Sequence, residues 1–224
     1  MSRRPFNSPL ALYGHPMTWP AGRLRYDEAR VLLGAAPGRP GHALGIDQAT
    51  CSGWGVVELE NRRCVLSGSA RTPAERTHAL ADIGALPGFA WRCCLVVLED
   101  HSFIPANRGI PARALLKLGE MRGHWNALLS LCDHPESHRI LATPAMWRKV
   151  MGTRVHLPRQ AWKAQARDWA SALCGRPIFD DDEAEAIVMA SWGAWDGLAK
   201  WATKTARGLS PRPALRRQAR TPPR

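Results

Sequence analysis

Four carboxylates at three separate places carry the chemistry this sequence offers. Asp47 ends the apolar run His42-Ala43-Leu44-Gly45-Ile46. Glu99 ends a second run, Cys94-Leu95-Val96-Val97-Leu98, with Asp100 directly after it. Asp182 and Glu185 stand three residues apart where a helix should begin, and that spacing puts them on one helical face. Hard divalent cations such as Mg²⁺ prefer oxygen ligands. Phosphoryl-group chemistry needs such cations held rigidly. If the three places converge, the set can do metal-assisted hydrolysis of a phosphodiester.

The elements that must position these side chains are legible in outline. His42–Thr50 reads as a buried strand, and Trp54–Glu60 and Arg63–Ala70 as two more, joined by a tight turn at Glu60-Asn61-Arg62. Thr72-Pro73-Ala74-Glu75 has the pattern of a capped helix start, with the helix running to about Ile83. Cys93–Asp100 is continuous enough in apolar residues to be a central strand covered on both faces. A long helix is expected over Pro111–Cys132, with Leu115, Leu118, Met121, Trp125, Leu128 and Leu129 facing the core. A strand at His138–Ala142 and short helices at Pro144–Met151 and Gln160–Leu173 follow. The last helix opens at Asp180–Asp182 and runs to about Lys204, with an anionic first turn and a basic end. Three strands in a meander, then helix, strand, helix, strand and helices, predict an α/β fold: a mixed sheet with parallel strands added to the meander and helices on its faces.

Charge divides the chain into three parts. Residues 1–41 hold six Arg against Asp27 and Glu28, residues 200–224 hold eight Lys and Arg with no acid, and the remainder is neutral, which accounts for the net +12. We expect a basic Pro/Gly-rich arm over 1–41, a nuclease domain over 42–204 and a basic disordered tail over 205–224 that includes Arg216 and Arg217. Basic arms on a neutral body suit a polyanion, because tethered cations release the counterions condensed on nucleic acid. No apolar run approaches the length of a membrane span, and no secretory signal opens the chain. A cytoplasmic location is therefore expected, on the nucleoid or in a host cytoplasm if the chain is of phage origin. The six cysteines show neither a C-x-x-C pair nor zinc-ligand spacing.

Four segments, in order, resemble the motifs of RuvC-like Holliday-junction resolvases of the RNase H-like superfamily. They are residues 43–58 around Asp47; Val97-Leu98-Glu99 with the later Leu115–Gly123; Pro144-x-x-Trp147-Arg148-Lys149-x-Met151-Gly152 with Lys163; and Asp182-x-x-Glu185-Ala186. The resemblance spans about residues 42–195 and implies an RNase H-like fold, a homodimer and cleavage of branched DNA using two Mg²⁺ or Mn²⁺ ions. By it, Asp47, Glu99, Asp182 and Glu185 would hold the metals. Lys149 and Lys163 would stabilise the phosphate, and Arg148 and Phe103 would contact nucleic acid; Arg216 and Arg217 lie in the tail, which has no counterpart in the family, and are expected to contact nucleic acid by their charge. The family often has Asp where Glu185 stands, and Asp181 is the nearest rival register within the acidic run 180–185. Phe103 matches an aromatic wedge of some relatives only loosely.

Plainer readings stand beside these. Asp47 could cap a turn, Glu99 could be a strand-end acid with Asp100 the functional one, and acids at 180–185 could simply complement a helix dipole. Lys149 and Lys163 could be solvated, and Trp147, Trp162 and Trp169 suit packing better than base stacking. At the level of function, flaps, forks or RNA–DNA hybrids are alternative substrates, and a non-catalytic nucleic-acid-binding module is an alternative class.

Overall fold

The computed structural model describes residues 41–101, 111–152 and 157–198. The expected arm 1–41, apart from Gly41, and the whole tail 205–224 lie outside the described residues, as do Phe103, Arg216 and Arg217. Five strands form one mixed sheet: β1 (His42–Ile46), β2 (Ser52–Glu58), β3 (Cys64–Ala70), β4 (Cys94–Glu99) and β5 (Arg139–Ala142), in the order β3-β2-β1-β4-β5. The first three are antiparallel neighbours, and β4 and β5 are added in parallel. This is the mixed sheet, a three-strand antiparallel meander with parallel strands added, that the order of elements predicts. The first strand ends at Ile46, four residues earlier than expected; Asp47 still makes one cross-strand bond, its N–H donating to Gly53 O at 3.0 Å, and the chain bends away at residues 49–51.

The helices are α1 (Pro73–Gly84), α2 (Ala112–Leu131), α3 (Pro144–Trp147), α4 (Arg159–Cys174) and α5 (Asp181–Trp192). The expected cap of α1 is present. Thr72 Oγ1 accepts from Glu75 N, and the Glu75 carboxylate accepts from the Thr72 N–H. Beyond Trp147 the chain tightens into a 3₁₀ turn, Arg148–Met151, closed by Gly152 in the left-handed region. A π turn, Gly193–Gly197, extends α5. The expected continuation to Lys204 passes outside the described residues.

Alternating side chains of the central strands feed two cores. Leu44, Ile46, Val96 and Leu98 pack with Trp125, Leu129 and the buried face of α1. Val97 packs on the opposite face with α4, α5 and Trp147. Only part of the expected stripe on α2 reaches this core. Met121, Trp125 and Leu129 are buried and Leu128 packs beside them, but Leu115 is exposed (42%) and Leu118 half-buried. The first turns of α2 are exposed, and among the described residues nothing buries them, so periodicity there is not satisfied.

Glycines bring α5 onto the sheet. A Cβ on Gly45 would stand 2.1 Å from Ala186 O, one on Gly53 1.8 Å from Asp182 O, and one on Gly55 2.7 Å from Ile187 Cγ1. The small residues around Asp47 therefore admit helix backbone. Their service in the fold is to let α5 approach.

Candidate active site

β1 and β4 run parallel with Ile46 opposite Leu98. The next residue on each strand is a carboxylate, so Asp47 and Glu99 leave the sheet side by side, and a hydrogen bond links them. α5 begins at the same end of the sheet. Its backbone at Asp182 rests on Gly53, which brings Asp182 and Glu185 into the field of Asp47. Three stretches distant in sequence thus deliver Asp47, Glu99, Asp182 and Glu185 to one place.

The cost of this gathering shows in the protonation equilibria. Burial, then the charges of Glu99, Glu185 and Asp182, push the Asp47 carboxyl well above the usual carboxylate range. Burial also raises Glu99, opposed by the Arg148 charge and the hydrogen bond with Asp47. Glu185 is pushed up to about 7, by burial first; Lys163 and Arg148 work against that shift, while Glu99 and Asp182 add to it. Asp182 is raised by burial and by Asp180, and is partly relieved by Lys163 and by a hydrogen bond with the Cys51 thiol. A cluster in which burial and like charge act together stores repulsion that a cation relieves.

The acidic run 180–185 sorts itself by partner. Asp180 caps α5, its Oδ1 accepting from Glu183 N at 2.9 Å. Asp181 is held by Lys163, 2.9 Å from Oδ2, and by Arg167 on Oδ1. Against a burial penalty acting the other way, these two cations keep it below its ordinary pKa. Glu183 turns toward β3 and accepts from Arg176 at 2.6 Å and Ser67 at 2.8 Å. Asp182 and Glu185 are the two that act on Asp47, so Asp181, the rival register, is committed to a different pair of partners.

Positive charge borders the cluster. Lys163 Nζ is 3.6 Å from Glu185 Oε1 while also bound to Asp181. Arg148 lies over the Trp162 ring at 3.7 Å and beside Trp147 at 5.1 Å, and its charge acts on Glu185 and Glu99. All three Trp residues, 147, 162 and 169, are buried packing residues. Lys149, the other expected phosphate-facing lysine, is exposed on the 3₁₀ turn, and no ion pair joins it to these carboxylates among the described residues. Sequence reasoning missed Cys51 and Arg167; the i, i+4 spacing of Lys163 and Arg167 on α4 was the available signal for the second.

The loop behind Asp47 is braced. Ser52 Oγ donates to Ala49 O at 2.9 Å and accepts from Trp125 Nε1 at 3.1 Å, while buried Arg76 donates to Thr50 O at 3.3 Å. Among the described residues no three His, Cys, Asp or Glu side chains are placed so as to hold a metal ion together. The four carboxylates form a repelling cluster of oxygen donors, and that donor chemistry fits a hard cation such as Mg²⁺ or Mn²⁺.

Comparison with solved structures finds 19 similar chains, two of them Thermus thermophilus RuvC. One, described as RuvC in complex with a Holliday junction substrate, is 17% identical with a TM-score of 0.49, covering 70% of this chain and 94% of that one. The other is 19% identical with a TM-score of 0.49, covering 70% of this chain and 95% of that one. No family model and no curated protein matches the sequence. Among the described residues no helix is long and apolar enough to cross a membrane.

Proposed function

We propose that this chain is a divalent-metal-dependent, structure-selective DNA endonuclease that resolves Holliday junctions or other branched DNA, acting as a homodimer. One observation carries the reading: Asp47, Glu99, Asp182 and Glu185 share one electrostatic neighbourhood at the end of a rigid sheet, with Lys163 and Arg148 beside them. The preference for branched DNA rests on the order of the sequence motifs. The acids argue for catalysis over simple binding, because bare carboxylates facing DNA repel phosphate unless a cation neutralises them.

Asp47, Glu99, Asp182 and Glu185 would hold two Mg²⁺ or Mn²⁺ ions. Bound there, the ions would supply an activated water and stabilise charge on the leaving oxygen. The chain's own residues do the rest. The paired strand ends hold Asp47 and Glu99 in register, and α5 holds the other two acids against them. Asp181 steers the Lys163 ammonium to the rim of the cluster, where it can meet a phosphoryl oxygen. The two Trp rings keep Arg148 aimed at the same place. Basic residues outside the described part, Arg216 and Arg217 among them, would add affinity without sequence preference.

A substrate panel tests this. Purified protein is incubated with a four-way junction, a flap, a fork, an RNA–DNA hybrid and a linear duplex, with Mg²⁺, with Mn²⁺ and with chelator. Cation-dependent cleavage confined to branched DNA is expected. Equal or better cleavage of the hybrid would replace the substrate assignment. Binding without any cleavage would replace the enzyme by a binding module.

A further inference from the structure

A second chemically distinct cluster lies where β3 meets the C-terminal end of α4. Cys64 and Cys174, 110 residues apart, are within hydrogen-bonding reach of each other and pack against the same core. Cys174 is half-buried. Gly175 follows it in the left-handed region (φ 64) and folds the chain back. That turn lays the Arg176 guanidinium 2.9 Å from Ser67 Oγ, and the same hydroxyl is 3.9 Å from Cys174 Sγ. Arg176 is shared with the Glu183 carboxylate at 2.6 Å, so the setting is polar with a cation close by and a second thiol alongside, as reactive cysteines have.

We propose that Cys174 and Cys64 are a peroxide-responsive thiol pair, Cys174 reacting first and Cys64 resolving it to a disulfide. The Cys174 thiolate attacks one oxygen of a hydroperoxide. The O–O bond breaks, an S–O bond forms, and hydroxide or alkoxide leaves; sulfur is oxidised by two electrons and the peroxide reduced. The Cys64 thiol then attacks the Cys174 sulfenic acid, forming the S–S bond. Its proton leaves with the displaced hydroxide as water. A hydrogen bond from Cys64, and help from Ser67 and Arg176, hold the Cys174 thiol below its ordinary pKa against burial and the Glu183 charge. Its partner is pushed up by that same interaction and by burial, so the disulfide-forming step is the slow one. The last-turn carbonyls of α4 oppose a thiolate at its C-terminal residue, and Arg176 offsets them.

Two other cysteines differ. Cys94 is fully buried and pushed up by that burial. Cys51 is engaged by the Arg71 side chain and the Asp182 carboxylate. The disulfide would pin β3 to the helix that also carries Lys163 and Arg167. The inference does not depend on the nuclease reading.

The test uses the full-length protein, treated with hydrogen peroxide, quenched with an alkylating agent and mapped by mass spectrometry without reduction. Expected is a Cys64–Cys174 cross-linked peptide, about 2 Da lighter than the two thiol peptides together and restored by dithiothreitol. In Cys64→Ser, Cys174 should instead accumulate as a dimedone-trapped sulfenic acid; in Cys174→Ser, Cys64 should stay reduced. Thermal melts establish that each variant is folded, and alkylation rates of the untreated protein give an independent reading, with Cys174 the fastest thiol at neutral pH. Cross-linking elsewhere first, equal oxidation of Cys64 in Cys174→Ser, or a Cys174 no faster than Cys132 would overturn the proposal.

Discussion

Replacing Glu185 by Gln should make the cation-free protein more stable, and the gain should grow with pH. Glu185 is buried, its side chain 10% exposed, and its folded-state pKa stands at about 7 against an ordinary 4.5. The folded state therefore holds a proton that the unfolded chain has already released between those values. Stability contributed by this group is complete below pH 4.5 and is lost as pH rises through 7. At about 1.4 kcal/mol per pKa unit, the loss amounts to about 3 kcal/mol above pH 7. Gln keeps the volume and removes the charge. Lys163 is not orphaned, because Asp181 still holds it at 2.9 Å. Urea unfolding in chelator at pH 5 and pH 8 measures the effect, with a melting-temperature gain of roughly 6–12 °C at the higher pH for a chain this size. The Asp47 carboxyl also relaxes in this variant, since Glu185 is one of the charges raising it. Millimolar Mg²⁺ should narrow the gap by stabilising the wild type alone. A variant no more stable at pH 8, or a gain independent of pH, would show that Glu185 carries no unrelieved charge and would remove the physical case for a cation site.

Three further outcomes follow from the same geometry. Asp47→Asn should cut cleavage of a branched substrate by on the order of a thousandfold while junction binding stays within a fewfold; loss of binding with cleavage retained in the residual complex would argue against a metal-holding role. Gly53→Ala puts a Cβ 1.8 Å from the Asp182 carbonyl oxygen, with backbone on both sides. It should destabilise the fold by about 1–3 kcal/mol and depress activity further than stability predicts; wild-type activity would mean that α5 tolerates displacement. Deleting residues 205–224, which hold six Arg, should flatten the salt dependence of DNA binding by about 0.9 in log–log slope for each phosphate that the tail neutralises; an unchanged slope would make the tail a bystander.

How much of this was legible in the sequence depends on how local the determining physics is. The Thr72 capping box and the mixed-sheet order are written in short-range patterns, and they appear as expected. The convergence of Asp47 and Glu99 was also accessible, since two buried runs each ending in an acid suggest neighbouring strands. What no local pattern carried was the partition of the acids at 180–185. That depends on Lys163 and Arg167 arriving on α4 and on Ser67 and Arg176 arriving beside β3. The lysine assignment at 148–149 was degenerate for a similar reason. Adjacent residues on a tight turn point apart, and only the position of the Trp162 ring decides that Arg148 is the one turned inward. Leu115 failed for want of a surface to meet among the described residues: helical periodicity states which face a helix would bury, and the neighbouring elements decide how much of that face is covered.

The glycines and the carboxylates belong to one physical arrangement. Four acids in a partly buried site oppose folding, and a helix free to slide would relax the repulsion by moving Asp182 and Glu185 away from Asp47. Backbone-to-backbone packing at Gly45 and Gly53 leaves α5 little room for that movement, and Gly193 packs the helix extension against Val97 at its far end. The burial of Ile187, Val188, Met189 and Trp192 then stabilises the seated position. Repulsion that cannot relax by motion must be met by proton uptake, by Lys163 and Arg148, or by a cation. Protons and the two basic side chains meet it in the cation-free protein; Glu185, raised to about 7 by burial first and by Glu99 and Asp182 after it, is the group that takes up the proton near neutrality. A divalent ion competes with those protons directly, so its apparent affinity should rise steeply between pH 5 and 8.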